Sequence, residues 1–189
     1  MIVIGDPGDA ELHLTDGAMG CPACGGRVAR WGYGRRRTVR ALGTATMTVR
    51  PRRVRCDDCA ATHILLPAAL AARRADTTEV IGTALVHKSR GYGFRRIAAI
   101  MGRAESTVRR WLRRGTDPAH LQWLWRQGVR RWCEAAPWAF EHPRAHTDLD
   151  YALNVLGGAA YWNRWLRGLT DPPWTMIGIY TNGGLLAPP

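Results

Sequence analysis

Two pairs of cysteines constrain this chain more than any other feature of its sequence. Cys21 and Cys24 form the first pair, Cys56 and Cys59 form the second, and 31 residues separate the pairs. Two thiolates with two residues between them can face one metal ion from a tight turn, and a β-hairpin between two such turns is typical of a zinc ribbon. Because four thiolates close a tetrahedron around Zn²⁺, the spacing predicts a structural zinc ion rather than a catalytic one.

The residues around the pairs refine this prediction. Gly25 and Gly26 give the first turn the backbone freedom that it needs, whereas Ala60 follows the second pair and makes a weaker turn. A redox site is the alternative for a single pair of this type. His63 is the alternative fourth ligand, and we expect Cys133 to be a small buried apolar residue rather than a reactive thiol.

The charge of the chain is strongly positive and unevenly distributed. The sequence has 27 Lys and Arg against 15 Asp and Glu, a net charge of +12, and residues 21–55 contain ten arginines and no acid. Arginine binds phosphates and guanine edges in a bidentate manner, so this excess predicts a nucleic-acid partner, with an acidic membrane as the alternative. The sequence has neither a long apolar run nor a signal-peptide pattern at its start, which favours a cytoplasmic, nucleoid-associated protein without membrane contact.

The segment between the cysteine pairs has the alternation of two strands. Trp31, Tyr33 and Val39 share one parity, Met47 and Val49 share another, and Pro51 predicts a bulge or an edge position in the second strand. Arginines would occupy the solvent side. A solubilising face is the alternative to phosphate contact, but the lack of acids in 21–55 favours contacts with DNA by Arg35, Arg36, Arg37, Arg50, Arg52 and Arg53.

Residues 76–116 have the pattern of a helix-turn-helix. A capping box of Asp76 and Glu79 begins the first predicted helix, which ends before Gly91. The second predicted helix covers 94–101 and stops at Gly102, and the third covers 105–114 and ends at Gly115. A generic three-helix core is the alternative interpretation of this segment.

The third predicted helix has an arginine-rich face, which favours the DNA-binding interpretation. Such side chains reach phosphates and base edges from within a major groove. Ala104 stands where Ser or Thr usually caps a recognition helix, so that end should be less firmly held. The candidate DNA-binding residues of the second and third helices are Arg95, Arg96, Ser106, Thr107, Arg109, Arg110, Arg113 and Arg114.

These motifs resemble the N-terminal module of bacterial insertion-sequence transposases. The resemblance covers about residues 19–115 and lies in the two cysteine pairs, the arginine-rich hairpin, the segment 62–67 and the helix that contains residues 106–112. The chain is also similar to short actinobacterial zinc-ribbon and helix-turn-helix proteins of unknown function. The resemblance implies a module that binds transposon ends. In the transposases a catalytic domain with three carboxylates follows, but the 74 residues after Gly115 are too few for it.

The last third of the chain is rich in tryptophan. Two amphipathic helices are predicted there, one with Leu121 and Leu124 and one over about 147–169, and the final segment 183–189 is expected to be loosely ordered. A small helical core is the simplest interpretation. Trp123, Trp162 and Trp165 could instead form an apolar patch for a second copy or a recombinase partner, or stack on unpaired bases.

The sequence therefore predicts an α+β chain. Its expected segments are an acidic start (1–18), a zinc ribbon (19–66), a linker (67–75), a helix-turn-helix domain (76–116) and a tryptophan-rich helical region (117–189). We expect a non-enzymatic, zinc-stabilised protein that binds double-stranded DNA in a sequence-specific manner, as a transcription regulator or a mobile-element accessory. The alternatives are a truncated or split transposase or recombinase subunit, and a zinc-ribbon adaptor that binds another protein.

Overall fold

The computed structural model describes residues 1–188, and Pro189 lies outside the described residues. The predicted α+β class is confirmed: strands occupy the N-terminal half and helices the C-terminal half. The strands are β1 (Ile2–Ile4), β2 (Val28–Tyr33), β3 (Arg37–Arg40), β4 (Thr46–Val49), β5 (Arg52–Cys56) and β6 (Thr62–Pro67). The helices are α1 (Pro7–Thr15), α2 (Thr78–Ser89), α3 (Phe94–Met101), α4 (Glu105–Gly115), α5 (Pro118–Ala135), α6 (Asp148–Arg167) and α7 (Pro173–Tyr180).

The strands form two sheets. A four-stranded sheet has the order β1-β6-β5-β2, with β1 parallel to β6 and the other pairs antiparallel, and β3 and β4 form a separate two-stranded hairpin. The sequence had predicted one long hairpin with a bulge at Pro51. The chain instead breaks on both sides, at 34–36 and at 50–51, because proline has no amide hydrogen for a ladder. The amide of Gly34 donates to the carbonyl of Pro51 across this break, at 2.8 Å.

The acidic start of the chain is part of the ribbon rather than a separate arm. β1 adds a parallel edge to the sheet, and α1 buries Ala10 and Leu14 in one small core with Cys21, Val28 and Cys56. Asp6 caps α1 by accepting hydrogen bonds from the amides of residues 8 and 9. This local signal lies in a Pro-containing stretch that the sequence analysis had not assigned to a helix.

The three helices of residues 78–115 have nearly the predicted bounds. The capping box at Asp76 was wrong: Thr77 is the N-cap of α2 and accepts from the amide of Val80, while Asp76 takes part in ion pairs. α3 ends at Gly102, whose φ of 60° is the left-handed conformation that glycine adopts without steric cost. Ala104 precedes α4 without a side-chain cap, as predicted.

The C-terminal helices complete the helical core. α5 and α6 pack as an antiparallel pair, and their buried residues, among them Leu124 and Leu156, share one core with α2, α3, α4 and α7. The segment expected to be loose is packed: Leu185 and Leu186 are buried, and the Leu185 carbonyl lies 3.0 Å from His120 Nε2. Their apolar side chains belong to the helical core, a tertiary contact that local composition does not reveal. None of the helices within residues 1–188 is both long and apolar enough to cross a membrane.

Candidate metal centre and nucleic-acid interface

The four paired cysteines converge on one point. Their Sγ atoms all lie within 4.8 Å of one another, with Cys21 and Cys59 at 3.8 Å and Cys24 and Cys56 at 3.5 Å. A tetrahedral site with metal–sulfur bonds of about 2.3 Å needs sulfur atoms about 3.8 Å apart. All five cysteines of the chain are free, so no disulfide competes with this arrangement. The donor set and its dimensions fit a four-thiolate metal ion.

Two similar turns hold the thiols. In the first turn, the amide of Gly25 donates to the Cys21 carbonyl and the amide of Cys21 donates to the Gly26 carbonyl. Gly25 has a φ of 78°, and Ala60 takes the corresponding left-handed conformation in the second turn with a φ of 59°. The second turn is therefore formed despite its alanine. A Cβ at Gly26 would strike the Asp58 side chain, so Gly26 also allows the two turns to approach each other.

The thiols of the cluster differ in their tendency to ionise. Hydrogen bonding from the Ala23 amide lowers the pKa of Cys21 to about 6, despite some desolvation. The Gly26 amide lowers the pKa of Cys24, but hydrogen bonds from the Cys59 and Cys56 thiols and burial outweigh this effect and raise the pKa to about 12. Hydrogen bonds from the neighbouring thiols thus favour the protonated form of Cys24. A divalent cation would bind all four sulfurs as thiolates and release their protons.

His63 lies beside the cluster and outside it. Its Nε2 atom is 3.3 Å from Cys21 Sγ, a hydrogen-bond distance, and the four cysteines complete the ligand set without it. A ring nitrogen that contacts a ligand sulfur orients the ligand. His63 is therefore placed to position Cys21 rather than to replace one of the cysteines.

α4 presents an exposed face of polar and basic side chains. Val108, Trp111, Leu112 and Gly115 are buried against the helical core. The opposite side carries the predicted residues, all exposed except the half-buried Thr107: Ser106, Thr107, Arg109, Arg110, Arg113 and Arg114. The structure therefore brings this predicted set together on one helix surface. Ser106, Arg109, Arg110 and Arg113 also line a shallow cavity of about 820 Å³ with Lys88 and Phe94.

The two arginines of α3 lie on the exposed side of their helix. Arg95 is 3.8 Å from Glu105 in a solvent-exposed ion pair, and the Arg96 guanidinium lies 4.0 Å from the centroid of the Tyr92 ring. Arg109 of α4 is 5.9 Å from the Phe94 ring. Aromatic rings thus support the arginines at the junction of α3 and α4 without neutralising their charge.

The arginines of the ribbon differ in solvent exposure and in whether an acid pairs with them. Arg35 and Arg36 are exposed, Arg53 is half-buried, and Arg50 lies 5.0 Å from the centroid of the Tyr33 ring. Arg52 is engaged, because two nitrogens of its guanidinium donate to Glu11 at 2.6 and 2.9 Å. Glu11 also accepts from Arg30 at 3.0 Å. The absence of acids from 21–55 was thus misleading for Arg52, since an acid from α1 reaches it in space.

The parity of the ribbon strands was also misleading for two aromatic residues. Trp31 and Tyr33 were grouped with the buried Val39, but they are about half exposed, at 50% and 48%. The break after β2 separates them from the strand that carries Val39. The Arg52 guanidinium lies 4.1 Å from the Tyr33 ring centroid, and that of Arg55 lies 4.7 Å from the Trp31 centroid. These rings therefore pack under the arginines of the sheet surface.

One buried carboxylate joins the β3–β4 hairpin to the three-helix unit α2–α4. Asp76 accepts from Arg40 of β3, at 2.6 and 3.0 Å, and from Arg103 in the α3–α4 turn, at 2.7 Å. Arg103 also donates to the Ala41 carbonyl of the hairpin at 2.6 Å. The Asp76 and Arg103 side chains are only 3% and 5% exposed. Sequence reasoning missed this network because its three charged members lie far apart along the chain.

A second contact links the hairpin to the linker, which in turn lies near α4. Arg37 of β3 donates from Nη1 to the backbone carbonyl of Arg74, at 3.3 Å, and the Arg74 side chain lies close enough to Arg110 and Arg114 to feel their charges. The arginines of the hairpin, the linker and α4 are therefore neighbours. Sequence reasoning had left Arg73 and Arg74 in an unassigned linker.

The tryptophans of the C-terminal region separate into two groups. Trp123 stacks on His120 and packs against the core. Trp162 and Trp165 contact each other edge to face on α6, and Trp165 is 65% exposed.

Within residues 1–188, the four cysteines of the ribbon are the one group of three or more metal-capable side chains whose donor atoms come together.

Together these features define a chain with a four-cysteine metal centre, a basic hairpin and a three-helix unit with an exposed arginine face. Residues 21–111, from the first cysteine of the cluster to Trp111 of α4, match the family model described as a domain of unknown function, DUF6431. The matched region thus contains the metal centre, α2, α3 and the first seven residues of α4. Neither the curated proteins nor the solved structures contain a match to the chain.

Proposed function

We propose that this protein binds one structural zinc ion and recognises double-stranded DNA in a sequence-specific manner, without catalysing a reaction. Its role would be that of a transcription regulator or of an accessory to a mobile element. The observation that carries the proposal is the exposed arginine face of α4, which lies next to the arginines of β3 and the linker.

The zinc assignment is supported by the donor set. Four thiolates at tetrahedral separations are the usual ligands of structural Zn²⁺, and they leave no open position for a substrate. The ribbon core is small and contains Cys21 and Cys56 among its buried residues. The bound ion would therefore stabilise the ribbon by linking its two turns.

The DNA assignment is supported by the arrangement of charge. In a helix-turn-helix the second helix of the motif enters the major groove, and α4 holds that position behind α3. The Asp76 network fixes the hairpin relative to the α3–α4 turn, so phosphate contacts from the ribbon would keep a constant spacing from base contacts by α4. Such a fixed spacing is what a site of defined length requires.

The test is selection of bound sequences from random duplex DNA with zinc-loaded protein. We expect enrichment of one motif. Arg109→Ala and Arg110→Ala should relax specificity at individual positions, by about 1–3 kcal/mol per bidentate base contact. Arg36→Ala should weaken binding to all sequences and reduce the slope of log K against log salt by about 0.9. Arg144→Ala, an exposed arginine of the α5–α6 loop, serves as the matched control and should change neither property.

The same assay separates base readout from general attraction. If the α4 variants bind every duplex with one common reduction, α4 does not read bases. If the wild-type protein is not retained on DNA at about 0.15 M salt, where surface charges are screened beyond about 8 Å, the adaptor alternative replaces DNA binding.

The resemblance to transposase end-binding modules supports a second candidate, a split transposase or recombinase subunit. Asp148 and Asp150 lie in the first turn of α6, and Asp148 lines a pocket of about 390 Å³ with Trp125 and Tyr151. Metal-dependent nicking of DNA by the purified protein, lost in Asp148→Asn or Asp150→Asn, would favour this candidate. Equal nicking by wild type and both variants would point to a contaminating nuclease.

We further propose that the aromatic cluster of α6 contacts a second copy of the chain or a recombinase partner. The cluster consists of the exposed Tyr161 and Trp165 and the half-buried Trp162, and tryptophan is frequent at interaction hot spots. Sedimentation of the wild-type protein and of Trp165→Ser, alone and with DNA, tests self-association. An identical monomer for both proteins under all conditions would exclude the second copy.

A further inference from the structure

A pocket of about 490 Å³ lies beside the C-terminal end of α4. Its walls come from four parts of the chain: Met1, the linker, α4 and the segment after α7. The charged side chains among the lining residues are Arg73, Arg74 and Arg114, and the segment after α7 contributes Gly183, Gly184 and Leu186. The pocket is distinct from the shallow cavity on the exposed face of α4, which is lined by Arg109, Arg110 and Arg113.

The pocket concentrates positive charge. Its lining includes three arginine residues and, among the described residues, no Asp or Glu. The Nε atom of Arg74 is fully buried and has no hydrogen-bond partner within residues 1–188. Burial lowers the pKa of Arg74, and repulsion by Arg114 and Arg110 lowers it further. Because this Nε atom has no exposed surface, an anion in the pocket would meet the rest of the guanidinium. Clustered like charges are costly in the free protein, and a bound anion would relieve the repulsion among Arg74, Arg110 and Arg114.

The backbone around the pocket is held in place. The Ala72 amide donates to the Gly183 carbonyl at 3.1 Å, the Arg74 amide donates to the Ala71 carbonyl at 3.2 Å, and Arg37 donates to the Arg74 carbonyl. In the segment after α7, Leu185 and Leu186 are buried in the core. The backbone that carries the arginines of the pocket is therefore a fixed frame, as an anion site requires.

We propose that this pocket binds a phosphate group through Arg74 and Arg114. Guanidinium groups bind phosphate oxygens through paired, charge-assisted hydrogen bonds. Because several cations are gathered here, a phosphate group matches the charge of the pocket better than a single carboxylate would. Arg114 is on the exposed face of α4, so the phosphate is a backbone phosphate of the duplex that α4 contacts. In this respect the inference rests on the proposed DNA binding, whereas the phosphate chemistry of the pocket does not depend on it.

The experiment uses the full chain, loaded with zinc and freed of excess metal. Binding of sodium pyrophosphate is measured by calorimetry, and binding of the selected duplex and of a scrambled duplex is measured by fluorescence anisotropy over a range of salt concentrations. Arg74→Gln is the test variant and Arg144→Gln is the matched control. Thermal unfolding of each variant is recorded, because removal of one of several repelling charges should not lower the stability of the protein.

We expect Arg74→Gln to weaken pyrophosphate binding by about tenfold or more, as the loss of a charge-assisted contact implies. It should weaken both duplexes by the same factor and reduce the salt slope by about 0.9, while the preference for the selected duplex is unchanged. The control should behave as the wild type in every measurement. Together these results would identify a phosphate site that the duplex backbone occupies.

Other outcomes are equally informative. If Arg74→Gln weakens pyrophosphate while the wild-type protein binds neither duplex, the pocket holds the phosphate of a small ligand and the proposed DNA binding is wrong. If the wild-type protein binds DNA but Arg74→Gln changes neither pyrophosphate nor duplex affinity, the phosphate pocket is wrong and DNA binding stands. A lower unfolding temperature for Arg74→Gln would assign Arg74 a structural role and overturn the proposal.

Discussion

Replacement of Asp76 by asparagine tests the junction between the hairpin and the helix-turn-helix. The carboxylate is 3% exposed and accepts from Arg103, which is 5% exposed, and from Arg40, which is 46% exposed. The asparagine side chain would keep the size of the aspartate and remove its charge. The Arg103 guanidinium would then be buried without an anionic partner, although it would still donate to the Ala41 and Met101 carbonyls.

The cost follows from the difference in exposure between the two arginines. Removal of one partner from a buried ion pair costs about 3–5 kcal/mol. The pair with the half-exposed Arg40 contributes only about 0–1 kcal/mol, since water screens it. Because Arg103 keeps its carbonyl contacts, we expect Asp76→Asn to lower the free energy of unfolding by about 3 kcal/mol. For a chain of this size that is a decrease in the unfolding temperature of about 6–12 °C.

The assay is urea and thermal unfolding of the zinc-loaded protein, followed by tryptophan fluorescence. Glu105→Gln is the control, since it removes an exposed ion pair with Arg95 and should cost less than about 0.5 kcal/mol. The double variant Asp76→Asn/Arg103→Met should lose less stability than the sum of the two single variants, because the two side chains contact each other directly. A loss below about 1 kcal/mol for Asp76→Asn would refute the claim that this carboxylate holds the hairpin against the helices.

Three further predictions concern other parts of the molecule. Removal of the metal by a chelator should release zinc in a one-to-one ratio to protein and lower the unfolding temperature, and Cys24→Ser should also lower the unfolding temperature. Release of another metal would correct the assignment of the ion. Gly158→Ala places a Cβ against the Trp132 ring and should lower the free energy of unfolding by about 1–3 kcal/mol. Gly157→Ala meets open space and should stabilise α6 by up to about 1 kcal/mol. Urea unfolding compares the two variants, and equal effects would contradict the close approach of α5 and α6. Hydrogen bonds from Arg52 and Arg30 lower the pKa of Glu11 from 4.5 to about 2. The charge of Glu11 therefore stabilises the fold above pH 4.5, and this contribution is lost as the pH falls towards 2. Glu11→Gln should be less stable than wild type in unfolding measurements near pH 6, and the difference should vanish in acid.

Elements with a local signal in the sequence, such as a terminating glycine or a regular apolar spacing, could be predicted. Gly102 ends α3 in a left-handed conformation, Gly91 follows the end of α2, and the spacing of Val108, Trp111 and Leu112 gave the buried face of α4. The cysteine cluster could be predicted for the same reason: two short turns and one metal geometry leave few arrangements open.

Features that depend on distant residues were missed. The parallel pairing of β1 with β6 joins residues more than 60 positions apart, and no local pattern in a three-residue strand specifies it. The final segment was expected to be loose because of its Gly and Pro content, but Leu185 fills the core beside His120. The α7 helix begins at Pro173, directly after Pro172, and packs on the linker without a side-chain cap.

The sequence by itself determined the four-cysteine site, the three helices of residues 78–115 and the arginine-rich side of α4, because each depends on spacing within a short stretch of chain. Only the tertiary structure decided which arginines remain free. Glu11 engages Arg52 and Asp76 engages Arg40 and Arg103. Arg74 is instead brought to Arg114, and neither makes an ion pair within residues 1–188. The physical reason is that charge neutralisation depends on distance in space, and folding brings together acids and bases that are remote in sequence.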